Sequence, residues 1–340
     1  MQNEKPSAGA NSSIDFVIPW VNGNDPVWAD EFNKYSPKKK NISVDIRKER
    51  YRDNGLLRYW FRGIEKNTPW VRKIFFVTSG QKPEWLNLDN KKLCWIKHEN
   101  YIPREYLPTF SSRVIHIYLH KIKDLSENFV LFDDDMYILN PVKANYFFEN
   151  NLPKDYALLR PIKIPDFYSH IVINNMIEIN KHFNKYKTIK SNFTKYFNCR
   201  YSPRYYVPAY YISRENFFPG FYYKHFAQPF LKTTFKEVWM HCREALEATS
   251  CNRFRTIADV TSYLFRYWQL AKGDFSPETP NKKRKKYNVS ASNINQIEKT
   301  LKSKCIKELC LNDTDCSDKI YFNLKKYFED KYPDKSTFEL

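Results

Sequence analysis

The sequence NFVLFDDD, residues 128–135, joins a short apolar run directly to three aspartates. A run of this length between polar residues predicts a buried strand, and the aspartates mark its carboxyl end. Three earlier segments have the same apolar character and predict further strands, at residues 13–21, 73–78 and 93–97. Residues 56–64 and residues from about 111 to 122 show the apolar spacing of helices instead.

This alternation of strand and helix predicts an α/β fold with a mostly parallel sheet and helices on both faces. Ligands of such sheets bind outside the carboxyl ends of the strands. Two polar clusters fall at such ends, residues 22–25 after the first strand and residues 133–135 after the fourth. We therefore expect the functional site at this edge of the sheet.

Beyond about residue 146 the predicted elements are mainly helical, at residues 168–183, 229–247, 258–271 and 318–328. We expect this helical C-terminal part to complete the active site that the α/β sheet begins. We divide the chain into a flexible N-terminus at 1–12, an α/β part at 13–150, a helix-rich part at 151–278, a basic linker at 279–290 and a C-terminal segment at 291–340.

The 340 residues carry a formal net charge of +18, which attracts polyanions such as anionic lipids or phosphorylated molecules. We find no nucleic-acid-binding module, so nucleic acid is not an expected partner. The polar N-terminus has no apolar leader, and no run is long enough to span a bilayer, which predicts a cytoplasmic protein. The charge favours peripheral contact with the inner face of the cell membrane, although basic runs such as residues 282–286 fit a solvated loop equally well.

The aspartates at positions 133–135 repel one another, so a cation or cationic side chains must compensate them. At a strand end they suit Mg²⁺ or Mn²⁺, which bind carboxylates and diphosphate oxygens together. A solvated acidic turn is the alternative, and the preceding apolar strand favours the metal. Carboxylates alone do not separate Mg²⁺ from Mn²⁺.

Arginines and histidines supply the other candidates. Arg50, Arg52, Arg58 and Arg62 crowd one segment, where they match either a diphosphate or surface salt bridges. A second arginine pair, at positions 253 and 255, has the same ambiguity. A single histidine such as His225 is more often structural, yet histidine is the usual base for a sugar hydroxyl near neutral pH.

Four separated regions together resemble the Stealth family of sugar-phosphate transferases. The first is IDFVIPWVNGNDPVW at residues 14–28, and the second comprises residues 50–86 and 108–138. The third begins with HFAQPFLKTTFKEVW at residue 225 and ends near residue 271, and the fourth is CLNDTDC at residues 310–316 with STFEL at 336–340. Two positions depart from the usual family pattern: His116 stands at an acidic position and Asp133 at an asparagine position.

The resemblance implies roles for individual residues of this chain. Asp134 and Asp135 would hold the divalent cation, His225 and Asp135 would act in catalysis, and Arg255 would bind phosphate. Substrate-binding positions would be Asn22, Gly23, Asp25, Arg52, Asp53, Asn54, Arg58, Gln228, Asn312 and Asp313. The α/β part would then bind nucleotide sugar and metal, the helix-rich part would bind the acceptor, and the C-terminal segment would close the site.

The activity that the resemblance implies is transfer of a hexose-1-phosphate from a UDP-sugar to a glycan hydroxyl, with release of UMP. N-acetylhexosamine is the commonest sugar in the family, and the acceptor glycan is often carried on a lipid diphosphate. One alternative is a metal-dependent glycosyltransferase that releases UDP, which the acidic triplet fits equally well. Another is a polyanion-binding protein without catalysis, which the charge alone would allow but which leaves the triplet unexplained.

Overall fold

The computed structural model describes residues 13–38, 43–163, 168–205, 215–280, 283–314 and 317–340. The N-terminus expected to be flexible, residues 1–12, lies outside this set. The strands in the described set are β1 (Ile14–Pro19), β2 (Val44–Asp45), β3 (Ile74–Thr78), β4 (Leu93–Lys97), β5 (Asn128–Leu131), β6 (Met136–Ile138), β7 (Phe148–Glu149), β8 (Leu152–Asp155), β9 (Gln228–Leu231), β10 (Arg255–Thr256), β11 (Ser276–Pro277), β12 (Arg284–Asn288) and β13 (Glu308–Asn312).

The helices of the same residues connect and cover these strands. They are α1 (Pro26–Tyr35), α2 (Leu57–Asn67), α3 (Ser112–Ile117), α4 (Tyr168–His182), α5 (Lys185–Ser191), α6 (Phe193–Tyr196), α7 (Lys232–His241), α8 (Arg243–Ser250), α9 (Ser262–Lys272), α10 (Ile294–Lys302) and α11 (Asp318–Lys331). Among these described helices, none is both long enough and apolar enough to cross a membrane.

A five-stranded sheet in the order β4-β3-β1-β5-β9 forms the centre of the molecule. Its first four strands are parallel to one another, and β9 is antiparallel to β5. Alternate strand residues point to opposite faces, so each face has its own core. Phe16 and Phe132 pack with α2 on one face, whereas Val17 and Phe129 pack with α3, α7 and α9 on the other. The predicted α/β fold with a mostly parallel sheet is confirmed.

The segment predicted as one helix, residues 229–247, differs from that expectation at its start and in its middle. Its first residues belong to the buried strand β9, and the remainder divides into α7 and α8 at Cys242. Pro229 lacks an amide hydrogen and is tolerated at an edge strand, which is where β9 lies. A four-residue strand followed directly by a helix has too few residues to show its own period.

The segment predicted as a basic linker, residues 279–290, contains strand β12. β12 is parallel to β13, which is antiparallel to β6 in a second sheet. Arg284 is buried there, with Nε 2.7 Å from Glu308 Oε2 and Nη1 3.0 Å from Glu278 Oε1. The lysines and arginines of this segment predicted a solvated loop. The two carboxylates that pair with Arg284, those of Glu278 and Glu308, lie outside the segment, so its sequence alone does not show that Arg284 is buried.

These ion pairs continue into a network of buried charges. Lys224, with 2% of its surface exposed, places Nζ 2.7 Å from Glu278 Oε1 and 3.9 Å from Asp155 Oδ1. Arg266 of α9 places Nε 2.6 Å from Asp155 Oδ2. Burial alone would raise the pKa of Asp155, but the charges of Arg266 and Lys224 outweigh it and lower that pKa. The network therefore joins β8, α9 and β12 around Lys224, the residue directly before His225.

We expect Asp155→Ala to destabilise the protein by about 3–5 kcal/mol, because it leaves two buried cations without their shared carboxylate. Urea denaturation followed by circular dichroism measures the change. The matched control is Glu247→Ala, which removes the exposed partner of Arg243 at 3.6 Å and should cost less than about 1 kcal/mol. Equal effects of the two substitutions would contradict the structural role of the network.

Candidate active site

The direction of β9 brings a distant part of the chain to the carboxyl edge of the parallel sheet. β5 ends at Leu131, residues 133–135 follow it, and Leu131 pairs with Gln228 at the start of β9. Because β9 is antiparallel, the residues that precede it lie at the same edge, and His225 is one of them. β13 pairs with β6, the strand after the aspartates, and adds Cys310.

Asp135 lies at the centre of this convergence. Its Oδ2 is 3.9 Å from His225 Nε2 and 3.3 Å from the Cys310 thiol, which donates a hydrogen bond to it. Burial alone would raise the pKa of Asp135, but its interactions with His225 and Cys310 and the charge of Lys286 outweigh burial and lower that pKa. Asp135 is thus an anion beside an imidazole ring at neutral pH.

Asp134 has different neighbours from Asp135. Desolvation, reinforced by the charges of Asp135, Asp133 and Asp53, raises the pKa of Asp134 to about 8. The side chain is nevertheless accessible from the cavity described below. Carboxylates that lie close together and open to solvent repel one another, and a bound divalent cation relieves this repulsion. Carboxylate oxygens are also ligands suited to Mg²⁺ or Mn²⁺. The residues present therefore fit the cation expected from the sequence.

Arginines form a cationic group in the same cavity. Arg255 Nη2 donates a hydrogen bond to Ser112 Oγ at 2.8 Å, and the buried Nε of Arg255 has no hydrogen-bond partner among the described residues. Burial and the like charge of Arg255 lower the pKa of Arg50. Arg52 Nη1 lies 3.6 Å from Asp313 Oδ2. Arg50, Arg52 and Arg255 all line the cavity, and guanidinium groups match the geometry of phosphate oxygens.

One cavity of about 1110 Å³ contains both groups. Buried polar atoms of its lining, such as Tyr51 Oη and Asn54 Oδ1, have no hydrogen-bond partner among the described residues. Such atoms are costly in a folded protein unless a ligand or water meets them, and Tyr51 and Asn54 both line the cavity, where a ligand could do so. Predicted site residues in its lining are Arg52, Asp53, Asn54, Asp134, Asp135, His225, Arg255, Asn312 and Asp313.

Asn22, Gly23 and Asp25, the predicted site residues that follow β1, are not in the cavity lining as the structure describes it. They contact other protein groups instead. Gln81 brackets Asn22, accepting from its amide at 3.1 Å and donating to its carbonyl at 2.8 Å. Gly23 donates its amide to the Tyr51 carbonyl at 2.7 Å, and a Cβ at residue 23 would lie 2.7 Å from that oxygen. Asp25 accepts a backbone hydrogen bond at the start of α1, at 2.9 Å. Among these contacts, the one between Gly23 and Tyr51 bears directly on the arginine segment, because Tyr51 lies between Arg50 and Arg52 in the sequence.

Arg58 and Gln228 also lie outside the lining as the structure describes it. The guanidinium of Arg58 lies over the Trp85 ring, 5.3 Å from its centre. Gln228 is buried at the start of β9, where its Nε2 donates to the Lys224 carbonyl at 3.4 Å. Each side chain therefore contacts another protein group, and the structure does not bring either of them together with the acidic cluster.

Lys286 and Tyr223 line the cavity although neither was predicted to do so. The Tyr223 ring stacks against His225 at 5.8 Å and 13°, and Lys286 Nζ lies 5.9 Å from the Tyr223 centre. Lys286 comes from β12, within the predicted linker. Nothing in the composition of that segment indicated a strand, and only the pairing with β13 directs it to the site.

The two departures from the family pattern contact each other. His116 Nε2 lies 3.8 Å from Asp133 Oδ1, and both side chains line the cavity. Burial lowers the pKa of His116, while the charge of Asp133 opposes that shift. The unusual histidine and the unusual aspartate thus form one pair and have to be considered together.

Carboxylates, arginines and a histidine gathered at the edge of a parallel sheet are the groups that phosphoryl-transfer enzymes use. Family models of Stealth protein conserved regions 1 and 2 match residues 12–40 and 50–156. The chain is 39% identical to a capsular polysaccharide phosphotransferase, WcwK, of Streptococcus pneumoniae, over 96% of this chain and 99% of that protein. It is 36% identical to the exopolysaccharide phosphotransferase cps2G of Lactiplantibacillus plantarum, over 96% of each chain. The chain belongs to the Stealth family and is an enzyme of the phosphotransferase class.

We expect the affinity for Mn²⁺ to rise about tenfold per pH unit between about pH 6 and pH 8, because Asp134 must release a proton before it binds a cation. Without the cation, the raised pKa of Asp134 favours folding at low pH, and this contribution is lost as the pH rises through about 8. Calorimetric titration at several pH values measures the affinity.

Asp134→Asn should abolish this pH-dependent binding while the protein remains folded. The matched control is Asp30→Asn on the exposed face of α1, which should bind Mn²⁺ as the unmodified protein does. An affinity independent of pH would show that Asp134 is not a ligand.

Proposed function

We propose that this enzyme transfers a hexose-1-phosphate from a UDP-sugar to a hydroxyl of a glycan acceptor, in the synthesis of a capsular or other cell-surface polysaccharide. The acceptor oxygen forms a bond to the β-phosphorus, the bond from that phosphorus to the bridging oxygen breaks, and UMP leaves. The sugar keeps its phosphate, which becomes a phosphodiester. The observation that carries this proposal is the Asp135–His225 pair in a cavity that also contains Arg52 and Arg255.

The surroundings of His225 fit a general base. Asp135 lies beside Nε2, whereas the buried Nδ1 has no hydrogen-bond partner among the described residues. The charge of this carboxylate would stabilise the imidazolium that forms when the ring takes the proton of the acceptor hydroxyl. We therefore assign proton removal to His225 and the orientation of its ring to Asp135 and the stacked Tyr223.

The charges of the cavity fit the donor. Arg52, Arg255 and Lys286 would balance the phosphate oxygens in a reaction that depends mainly on positioning and charge neutralisation. Asp134 and Asp135, with Asp53 nearby, would hold Mg²⁺ or Mn²⁺, which supplies further neutralisation at the diphosphate when bound. The buried polar atoms of Tyr51 and Asn54 are available to the nucleotide sugar.

We expect the purified protein to release UMP from a UDP-sugar when both acceptor oligosaccharide and divalent cation are present. A donor panel that begins with UDP-N-acetylhexosamines, analysed by chromatography of the nucleotide products, tests this. Acceptor-dependent release of UDP instead would mean an ordinary glycosyltransferase, and the role of His225 at phosphorus would be withdrawn.

In the same assay, His225→Ala should lower kcat by about 10²–10⁴-fold, the usual contribution of a positioned general base. Asp135→Ala should also abolish turnover, because it removes both the partner of His225 and a cation ligand. The matched control is His170→Ala, since His170 is an exposed residue of α4 outside the described lining. Near-normal activity in either active-site variant, with the fold verified by circular dichroism, would remove that residue from the mechanism.

We further propose that the acceptor is carried on a lipid diphosphate and that the enzyme docks on an anionic membrane surface. The net charge of +18 supports this, together with two exposed aromatic residues on successive helices. Tyr186 of α5 and Phe193 of α6 are 54% and 58% exposed, and the exposed lysines Lys187 and Lys190 lie between them in the sequence. Aromatic rings among lysines are the composition that interfacial membrane segments use.

Vesicle flotation tests the docking. The protein should float with vesicles that contain anionic phosphatidylglycerol and not with neutral phosphatidylcholine vesicles, and the double variant Tyr186→Ala/Phe193→Ala should bind several-fold less. Phe322→Ala removes an aromatic residue of similar exposure, 69%, from α11 and serves as the control. Equal binding to both vesicle types would contradict membrane docking without affecting the proposed chemistry.

A further inference from the structure

A second group of potential metal ligands lies outside the active-site cavity. One ligand atom from each of Glu178, His182 and Cys242 lies within 4.8 Å of the other two. Glu178 and His182 belong to α4, and Cys242 connects α7 to α8. None of these residues is in the described lining of the cavity, and the proposed reaction uses none of them.

The fold brings these residues together for local reasons. Glu178 and His182 are four positions apart, so they share one face of α4. α7 ends at His241, and the chain turns at Cys242, whose amide donates to the Val238 carbonyl at 2.7 Å. The thiol therefore faces the last turn of α4 at a fixed corner of the backbone.

His241 completes the surroundings of the group. Its ring lies 5.6 Å from the His182 ring, and both rings pack against Trp268 of α9, at 5.5 and 5.3 Å. The indole thus limits the orientations of two imidazoles next to a buried thiol and a buried carboxylate. A sulfur, a carboxylate oxygen and one imidazole nitrogen therefore lie within 4.8 Å of one another, and the His241 ring is next to them without belonging to that group.

We propose that Glu178, His182 and Cys242 form a structural Zn²⁺ site, and that His241, which lies outside their 4.8 Å group, turns its side chain to complete the site as the fourth ligand. Thiolate sulfur and imidazole nitrogen select a borderline-soft ion such as Zn²⁺ over Mg²⁺, and four such ligands suit its tetrahedral geometry. The ion joins α4 to the α7–α8 corner, and α4 begins at Tyr168 and Ser169 in the lining of the active site.

A metal accounts for this group better than a simple ion pair or a reactive cysteine does. Lys181 Nζ lies 2.6 Å from Glu178 Oε1, but the Lys181 side chain is 57% exposed, so it can move into solvent when a cation takes its place. A nucleophilic cysteine requires a stabilised thiolate. Reactive cysteines are also partly exposed, whereas Cys242 has only 2% of its surface exposed.

Cobalt is the probe, because Co²⁺ occupies zinc sites and a thiolate ligand gives it a charge-transfer band in the near ultraviolet. Chelator-stripped full-length protein is titrated with Co²⁺, with the variants Cys242→Ser, His182→Ala and Cys310→Ser in parallel. The last variant is needed because Asp135, His225 and Cys310 form another group of possible ligands. We expect one charge-transfer band that Zn²⁺ displaces, that Cys242→Ser removes and that Cys310→Ser leaves unchanged.

His182→Ala should weaken Co²⁺ binding about tenfold or more, and since His182 is exposed it tests the site even if Cys242→Ser does not fold. Zn²⁺ should raise the unfolding temperature of the unmodified protein and of Cys310→Ser, but not that of His182→Ala. A band lost in Cys310→Ser and kept in Cys242→Ser would overturn the proposal by placing the metal in the active site. The absence of any charge-transfer band would overturn it as well.

Discussion

The ion pair between Lys224 and Glu278, buried among Asp155, Arg266 and Arg284, is the constraint on which the rest of the site depends. Charges without partners are too costly to bury, so these groups fold together or not at all. Asp155 and Lys224 are far in sequence from each other and from the segment 266–284 that supplies the remaining charges, and they meet where the second sheet adjoins the helix-rich half. Lys224 immediately precedes His225, so the network fixes the position from which the imidazole reaches Asp135. The geometry of the proposed catalytic pair thus depends on charges that come from distant parts of the chain.

Part of the fold was predictable because its signal is local. The strands at residues 74–78 and 93–97 lie within one residue of their predicted bounds, since an apolar run between polar residues has few alternatives. β9 was not predictable, because four residues beginning Gln-Pro give no period and the following helix dominates the pattern. β12 was not predictable either, because its lysines and arginines are strand residues only through pairing with β13 and through the carboxylates around Arg284.

The candidate site shows the same division between local and long-range information. The acidic triplet could be placed at a strand end from sequence alone, and the resemblance supplied His225 and Arg255. Asn22 and Gly23 were expected to line the site. In the structure Asn22 contacts the Gln81 side chain and Gly23 contacts the Tyr51 carbonyl. No sequence motif distinguishes such a supporting residue from one that lines the cavity. Lys286 could not have been found, since its approach to the site depends on the pairing of β12 with β13. Tyr223 is two residues from His225, but the sequence does not show that its ring stacks on the imidazole.

The Gly23–Tyr51 contact has a consequence for how such an enzyme diversifies. It holds the segment that carries Arg52, whereas the ionic network holds His225, and the two supports have no residue in common. Under the proposed chemistry, the first support serves the donor nucleotide sugar and the second serves the acceptor. Mutational drift around one support would leave the other in place. A lineage can therefore exchange the glycan it modifies without rebuilding the half of the molecule that supplies the sugar phosphate.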